Sequence, residues 1–507
     1  MWNVCKKIIT IFSLSIIVGI IASMSLTVNA AMRDRHDNPW TLNNIIELNR
    51  DEEWESLLRI FLGYFTSEHP VLNNSPMLYS TVDDRLEQIE YFINHQNPNL
   101  MFTSFWVTLR MTANENDSFT NYEFLEEFIY LVNNLIENIP YLEDYELYFN
   151  MRKIFSLLND IHSGYSFRPD PHPFFTERFP LDFAYFADGV FVVGAPLKYE
   201  WLLGNRLEKI NGIPILEVID VLSAIIMYES RYEMPRSAMR MLAWPEALRF
   251  FGVVDSDNIV KYYLLDENGE EVIVSIQNIP ISEFEEIETV RLDIGVGMLY
   301  NKHQQAPFFF ENLYENNMLY VRARSFHYVR FSELSDPMDL NNEFRETINA
   351  MVTSVIECGE KQIFVLDLRG NGGGAFLPAV PELGIFLREN NDLFHGIYVI
   401  TDRGTASAAV MTAAYLRTRV DGVYIIGEPA AQSPNFFYGI SLPATSHRRG
   451  FVYAPNMRFA ASQTFAMFWP DYPYETLMPD IRIPIYIRDL LVGHDAVLEY
   501  IKARHHE

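Results

Sequence analysis

One stretch, Phe364 to Ala409, constrains this chain more than any other. It reads FVLDLRGNGGG, then a helical pattern, then YVITDRGTASAA. Twice, a run of β-branched and aromatic residues ends in a turn that opens a helix. The first turn is rich in glycine, and the second sets Ser407 at a helix start. Strand–loop–helix repeated in this way specifies an α/β layer. The pattern continues through SAAVMTAAYLRTR to the strand GVYIIG, so the order β-α-β-α-β predicts a largely parallel sheet. Two loops at the carboxyl ends of neighbouring strands then face one crevice.

The preceding sequence has two textures. From about Trp40 to Leu158 apolar residues recur at i, i+3, i+4 and i+7, as in FLEEFIYLVNNLIENI, and Pro140 ends that run. A third helical run closes on Asn159-Asp160-Ile161-His162-Ser163-Gly164. From about Phe179 to Asn278 short strands take over, with turn signals at Asn211-Gly212 and Glu267-Asn268-Gly269. The acidic segment ISEFEEIE connects this part to the strand MLYVRARSFHY and the helix FRETINAMVTSVIECG. The C-terminal PDIRIPIYIRDLLVGHDAVLEYIKARHHE reads as a strand and a final helix, with His505 and His506 in a frayed tail.

A chain of 507 residues is expected to hold two to four domains, and 49% hydrophobic content supplies their cores. The formal net charge of −28 argues against nucleic acid, whose phosphates it would repel. Lys6 and Lys7 precede an apolar run over residues 8–26, and Val28-Asn29-Ala30 follows as a small-residue cleavage site. The expectation is an exported protein, secreted or associated with the cell envelope. If the segment is not cleaved, residues 8–26 become a membrane anchor. Cleavage near Ala30 would leave Cys358 as the single cysteine, hence no intrachain disulfide, and Cys358 reads as a small core residue.

Serine is a poor nucleophile until a base takes its proton. A helix start helps, because the dipole and the free first-turn N–H groups stabilise developing negative charge. Taken alone, Ser407 or Thr405 is simply an N-cap. The glycines Gly370, Gly372, Gly373 and Gly374 let backbone approach a ligand closely. Gly370 to Ala375 also fits a loose dinucleotide fingerprint with Asp392 downstream. That reading ranks second: Pro378 and Pro381 interrupt the helix that follows, and Ser407 is left unexplained. His162 by itself reads as a helix C-terminal cap beside Gly164. No HExxH motif or other recognisable ligand spacing points to a metal, and no cofactor is expected.

Asp367-Leu368-Arg369-Gly370-Asn371-Gly372-Gly373-Gly374, followed by Thr405-Ala406-Ser407-Ala408, resembles the S41 peptidase family of tail-specific (C-terminal processing) and tricorn core proteases. Asn159-Asp160-Ile161-His162-Ser163 resembles the segment that ends the family's N-terminal helical region. Leu203-Gly204-Asn205-Arg206-Leu207 with Ile210-Asn211-Gly212 resembles its PDZ-like domain. Gly427-Glu428-Pro429 with Ser433-Pro434-Asn435 resembles the loop after the nucleophile helix, and Pro479-Asp480-Ile481 its C-terminal strand.

The resemblance implies an α/β fold with a ClpP/crotonase-like catalytic core, an N-terminal helical domain and an inserted PDZ-like β-rich domain. The implied limits are 1–30 for a signal peptide, 31–170 for the helical domain, 178–280 for the PDZ-like domain and 290–507 for the core. It further implies a serine endopeptidase acting on a peptide or protein substrate. Ser407 would be the nucleophile, with Ala408 and Gly373 as oxyanion donors. The loop after the nucleophile helix has no lysine, so the base falls to His162, as in the tricorn-like members. Glu475 is the candidate to orient His162, with Asp160 as the alternative. The chain departs from the family at Val410, where relatives often carry an acid, and at Ala431 and Gln432, where many carry glycine. A catalytically inactive peptide-binding homologue is therefore the alternative function.

Overall fold

The computed structural model describes residues 49–52, 54–55, 57–59, 121–156, 161, 164–166, 175–255, 258–327, 337–443, 451–460, 472 and 474–505. Trp54–Glu507 clusters as one compact unit, separate from Met1–Glu53. The apolar run over residues 8–26, Ala30, Asp160, His162 and His506 lie outside the described residues. Among the described residues no helix is long and apolar enough to cross a membrane.

The helical run predicted in the N-terminal third appears as α1 (Asn121–Asn138) and α2 (Asp144–Ser156). Helix α2 is bonded to the β-rich part that follows: Arg152 Nε donates to Ile225 O at 2.7 Å and Ser156 Oγ to Ala224 O at 2.8 Å. That part is an antiparallel sheet of β1 (Asp182–Phe186), β2 (Gly189–Pro196), β3 (Arg206–Ile210), β4 (Ile259–Leu265), β5 (Glu271–Gln277) and β6 (Thr289–Arg291), in the order β6-β2-β3-β4-β5 with β1 on β2. Helices α3 (Ile215–Ser223), α4 (Met234–Met241) and α5 (Pro245–Phe250) lie between β3 and β4 in the chain. The Asn211-Gly212 signal is a two-residue turn with both φ positive, 49° and 84°. One hydrophobic cluster runs from Trp54 through Leu147 and Phe149 to Val260 and Ile276, so the helical and β-rich textures share a core.

The second half is the predicted α/β layer. Its six strands are β7 (Phe308–Leu313), β8 (Met318–Ala323), β9 (Gln362–Asp367), β10 (Phe394–Thr401), β11 (Val423–Gly427) and β12 (Ile481–Arg482), in that spatial order. Only β7 is antiparallel to its neighbour. Strands β8 and β9 are buried at every position because both faces are covered. Leu319, Val321, Phe364, Leu366, Ile397 and Val399 face one cluster, packed with α6 (Pro337–Cys358), α7 (Ala379–Glu389) and α8 (Ala408–Arg419). Their alternates Tyr320, Ile363, Val365, Tyr398 and Ile400 face another, closed by Val497, Leu498 and Ile501 of α9 (Ala496–His505). Strand alternation thus sorts one continuous apolar run into two cores.

Three local expectations change. The C-terminal strand is only two residues long, because Pro484 has no N–H for the ladder and a short helix, Ile487–Leu491, follows. His505 is not frayed: its Nε2 lies 2.8 Å from Tyr398 Oη. Cys358 ends α6 half-buried with a free thiol, rather than lying in the core. A hairpin of Asn435–Pro443 and Phe451–Ala460, unanticipated from the sequence, pairs with Gly164–Ser166, two residues after position 162.

Candidate active site

The site is built where β9, β10 and β11 end. Asp367, the last residue of β9, is fully buried, yet Arg369 reaches it with Nη2 at 2.6 Å and Nε at 3.0 Å. Tyr320 Oη adds a bond at 2.7 Å, and Arg369 also pairs with Asp495 at 2.8 Å. Arg322, itself buried, donates to the carbonyls of Asp367 and Arg369 at 2.9 and 2.6 Å. Burial opposes ionisation of Asp367, but the Arg369 and Arg322 guanidiniums outweigh it and hold the carboxyl down at about 2. This cluster fixes the backbone entering the glycine loop.

The backbone carbonyl of Asn371 and the side chains of Asp402 and Thr405 then bind that loop to the next one. Asn371, fully buried, donates from Nδ2 to Ala323 O at 3.0 Å and accepts from Gly373 N–H at 2.9 Å, while Ala406 N–H donates to its carbonyl at 3.0 Å. Asp402 Oδ1 accepts from Gly370 N–H at 2.7 Å and Gly404 N–H at 2.9 Å. Thr405 Oγ1 donates to Leu368 O at 3.0 Å, and the loop after β11 joins through Ala431 N–H to Thr405 O at 2.9 Å. The buried Glu428 of that loop is held by Arg403 Nη2 at 2.8 Å, and its pKa is raised by burial despite that partner.

Ser407 sits at the N-cap position of α8 but makes no capping bond with its side chain, so capping does not account for it. Its backbone has φ 51° and ψ −124°, a region that a residue with a Cβ enters at a cost of about 1–3 kcal/mol. Sharp turns of this kind raise a serine hydroxyl at a strand-to-helix junction. Ala408 follows at the first helical position, where its N–H has no acceptor within the helix. Gly373 abuts both: a Cβ there would stand 2.4 Å from Ser407 Cβ and 2.9 Å from Ala408 N. Gly374 is pressed as closely against Phe326, whose N–H donates to Gly373 O at 3.0 Å and whose carbonyl accepts from Ala375 N–H at 2.8 Å. Only glycine fits at either position.

Three of the sequence-predicted residues, Ser407, Gly373 and Ala408, are therefore brought together. Gly373 N–H, the expected oxyanion donor, is engaged by Asn371 Oδ1. Glu475 pairs with Arg231 at 3.1 Å, both side chains largely exposed. His162 and Asp160 lie outside the described residues, but Ile161, the neighbour of both, donates its N–H to Glu229 Oε1 at 3.4 Å. Glu229 was not singled out from the sequence. The same carboxylate accepts from Gln432 Nε2 at 3.3 Å, and Gln432 Oε1 accepts the Ser407 N–H. The departure from glycine at Gln432 was the one signal pointing here. The glycine loop is not a dinucleotide cradle: four residues separate Gly374 from α7, and Ser407 fills the approach to it. Among the described residues no group of three His, Cys, Asp or Glu side chains is placed to hold a metal.

No protein-family model matches the sequence, and no match is found among curated proteins. Solved structures do match. Mature CPAF is 12% identical, with 79% of this chain and 95% of that one covered and a TM-score of 0.51. Mature CPAF complexed with lactacystin is 12% identical, with 83% and 97% covered and a TM-score of 0.52. The photosystem II D1 C-terminal processing protease aligns at 14% identity over 74% of this chain and 97% of that one, with a TM-score of 0.32. At these identities what the chain shares with mature CPAF is the fold.

Proposed function

We propose that the protein is an exported serine endopeptidase. Ser407 attacks a peptide carbonyl while His162 takes its proton. His162 then protonates the leaving amine, and water resolves the acyl-enzyme. The observation that carries this reading is the backbone of Ser407, held at φ 51° at the start of α8 with no capping role and with Gly373 against it. Ala408 N–H lies at the helix start, suited to a tetrahedral oxyanion. Gly373 N–H becomes the second donor once its bond to Asn371 is shared or released. The six-stranded layer is read as a ClpP/crotonase-like core, and the antiparallel sheet with α3 as PDZ-like. That sheet can take an extended peptide alongside β5, its edge strand.

One observation favours the alternative, a peptide-binding protein without chemistry: the oxyanion donor expected at Gly373 is already engaged. Digestion of a peptide library by wild type, Ser407→Ala and His162→Ala separates the two. Cleavage by wild type alone supports the peptidase. Peptide binding with no cleavage by any of the three supports the alternative.

A further inference from the structure

Resting on the reading of Ser407 as nucleophile, we propose that Glu229 is a positioning residue acting through Gln432. The Glu229–Gln432 pair holds the Ser407 amide and with it the strained turn that presents the hydroxyl.

Gln432 is fully buried. Its backbone is pinned by Leu477 N–H at 2.9 Å and Thr476 Oγ1 at 3.3 Å, both on its carbonyl, so the side chain leaves from a fixed point. Oε1 accepts from Ser407 N–H, and Nε2 donates to Glu229 at 3.3 Å to Oε1 and 3.5 Å to Oε2. A backbone N–H can only donate and a carboxylate can only accept. Hence one amide orientation satisfies both neighbours, and Glu229 selects it. Ser407 N–H needs such a partner, because the helix offers it none and φ 51° is not kept by local preference.

Glu229 belongs to the turn between α3 and α4, 203 residues before Gln432. It also takes the N–H of Ile161, the residue preceding His162. One carboxylate from the β-rich part therefore touches both the segment that carries the proposed base and the side chain that holds the proposed nucleophile. The conformation of Ser407 is set only when that part is seated. Glu475, the residue expected from the resemblance to orient His162, pairs with Arg231.

The test uses Glu229→Ala, Gln432→Glu and the exchanged pair Glu229→Gln/Gln432→Glu in the full chain. Two quantities are read: the rate of fluorophosphonate acylation, and hydrogen exchange of the peptide spanning residues 404–417. Glu229→Ala leaves Nε2 without its acceptor, and Gln432→Glu sets two carboxylates face to face. Each should slow acylation roughly tenfold or more, the rate equivalent of one lost hydrogen bond, and speed exchange in 404–417. The exchanged pair restores donor to acceptor at both contacts and should recover both readouts. Wild-type rates in Glu229→Ala, or an exchanged pair no better than Gln432→Glu, would overturn the proposal. If Gln432→Glu does not fold, the half-buried Glu229→Ala still decides. If wild type is not acylated, the peptidase reading fails, and the exchange readout alone then supports or overturns the role of Glu229.

Discussion

Two buried carboxylates, one in each half of the molecule, have been treated in opposite ways. Asp367, under the glycine loop, is fully buried and met by two guanidiniums, a phenol and a backbone N–H. Glu246, in α5 of the β-rich half, is 7% exposed, and among the described residues its Oε2 has no hydrogen-bond partner. Burial raises Glu246 to about 7, whereas Asp367 is held at about 2. Burial itself does not decide the sign; the cations within reach do. At Asp367 the secured charge holds the backbone that enters the glycine loop, whereas at Glu246 the counter-charge is too weak to offset burial.

That contrast can be broken most forcefully at Asp367. Asp367→Asn leaves Arg369 and Arg322 buried without their common anion, and a loss of about 3–5 kcal/mol is expected from denaturant melts. A loss below about 1 kcal/mol would show that the cluster does not hold the strand end. Glu246→Gln should act in the other direction. A carboxyl moved from 4.5 to about 7 contributes stability that is full below 4.5 and lost as pH rises through 7. The amide should therefore stabilise the chain by up to about 3 kcal/mol at pH 8 and by little at pH 4, as read from melts at the two pH values.

Asp367 has the reverse sign. Its depressed pKa contributes stability that is present above 3.8 and lost as pH falls to about 2. Wild type should lose about 2 kcal/mol over that acid window, and Asp367→Asn should lack this limb. The smallest effect is expected at Thr405→Val, which removes the hydroxyl bonds to Leu368 O and Asp402 N but keeps the shape. About 1 kcal/mol should be lost, with slower acylation of Ser407.

The α/β layer was legible because strand alternation and glycine placement are local properties. Phe364 to Ala409 announced two strands, two loops and two helices, and all are present. The meeting of Gly373 with Ser407 followed from two adjacent parallel strands ending together. The Glu229–Gln432 contact was not legible, since neither residue carries a local pattern and the pair depends on how two sheets dock. His505 was misjudged because its partner, Tyr398, is 107 residues away. The strands Asn435–Pro443 and Phe451–Ala460 have aromatic and β-branched content, but the sequence between them lacks an Asn-Gly or Asp-Gly signal.

The central claim is that Ser407 is an activated nucleophile. It is tested most directly by treating the folded protein with a fluorophosphonate and mapping the adduct by tandem mass spectrometry. Trypsin releases residues 404–417 as one peptide, between Arg403 and Arg417, in which Ser407 is the only serine. An activated Ser407 should give a phosphonyl adduct on that peptide, fragment ions that assign it to Ser407, and no adduct in Ser407→Ala. A folded wild-type protein that stays unmodified, or an adduct that persists in Ser407→Ala, would contradict it.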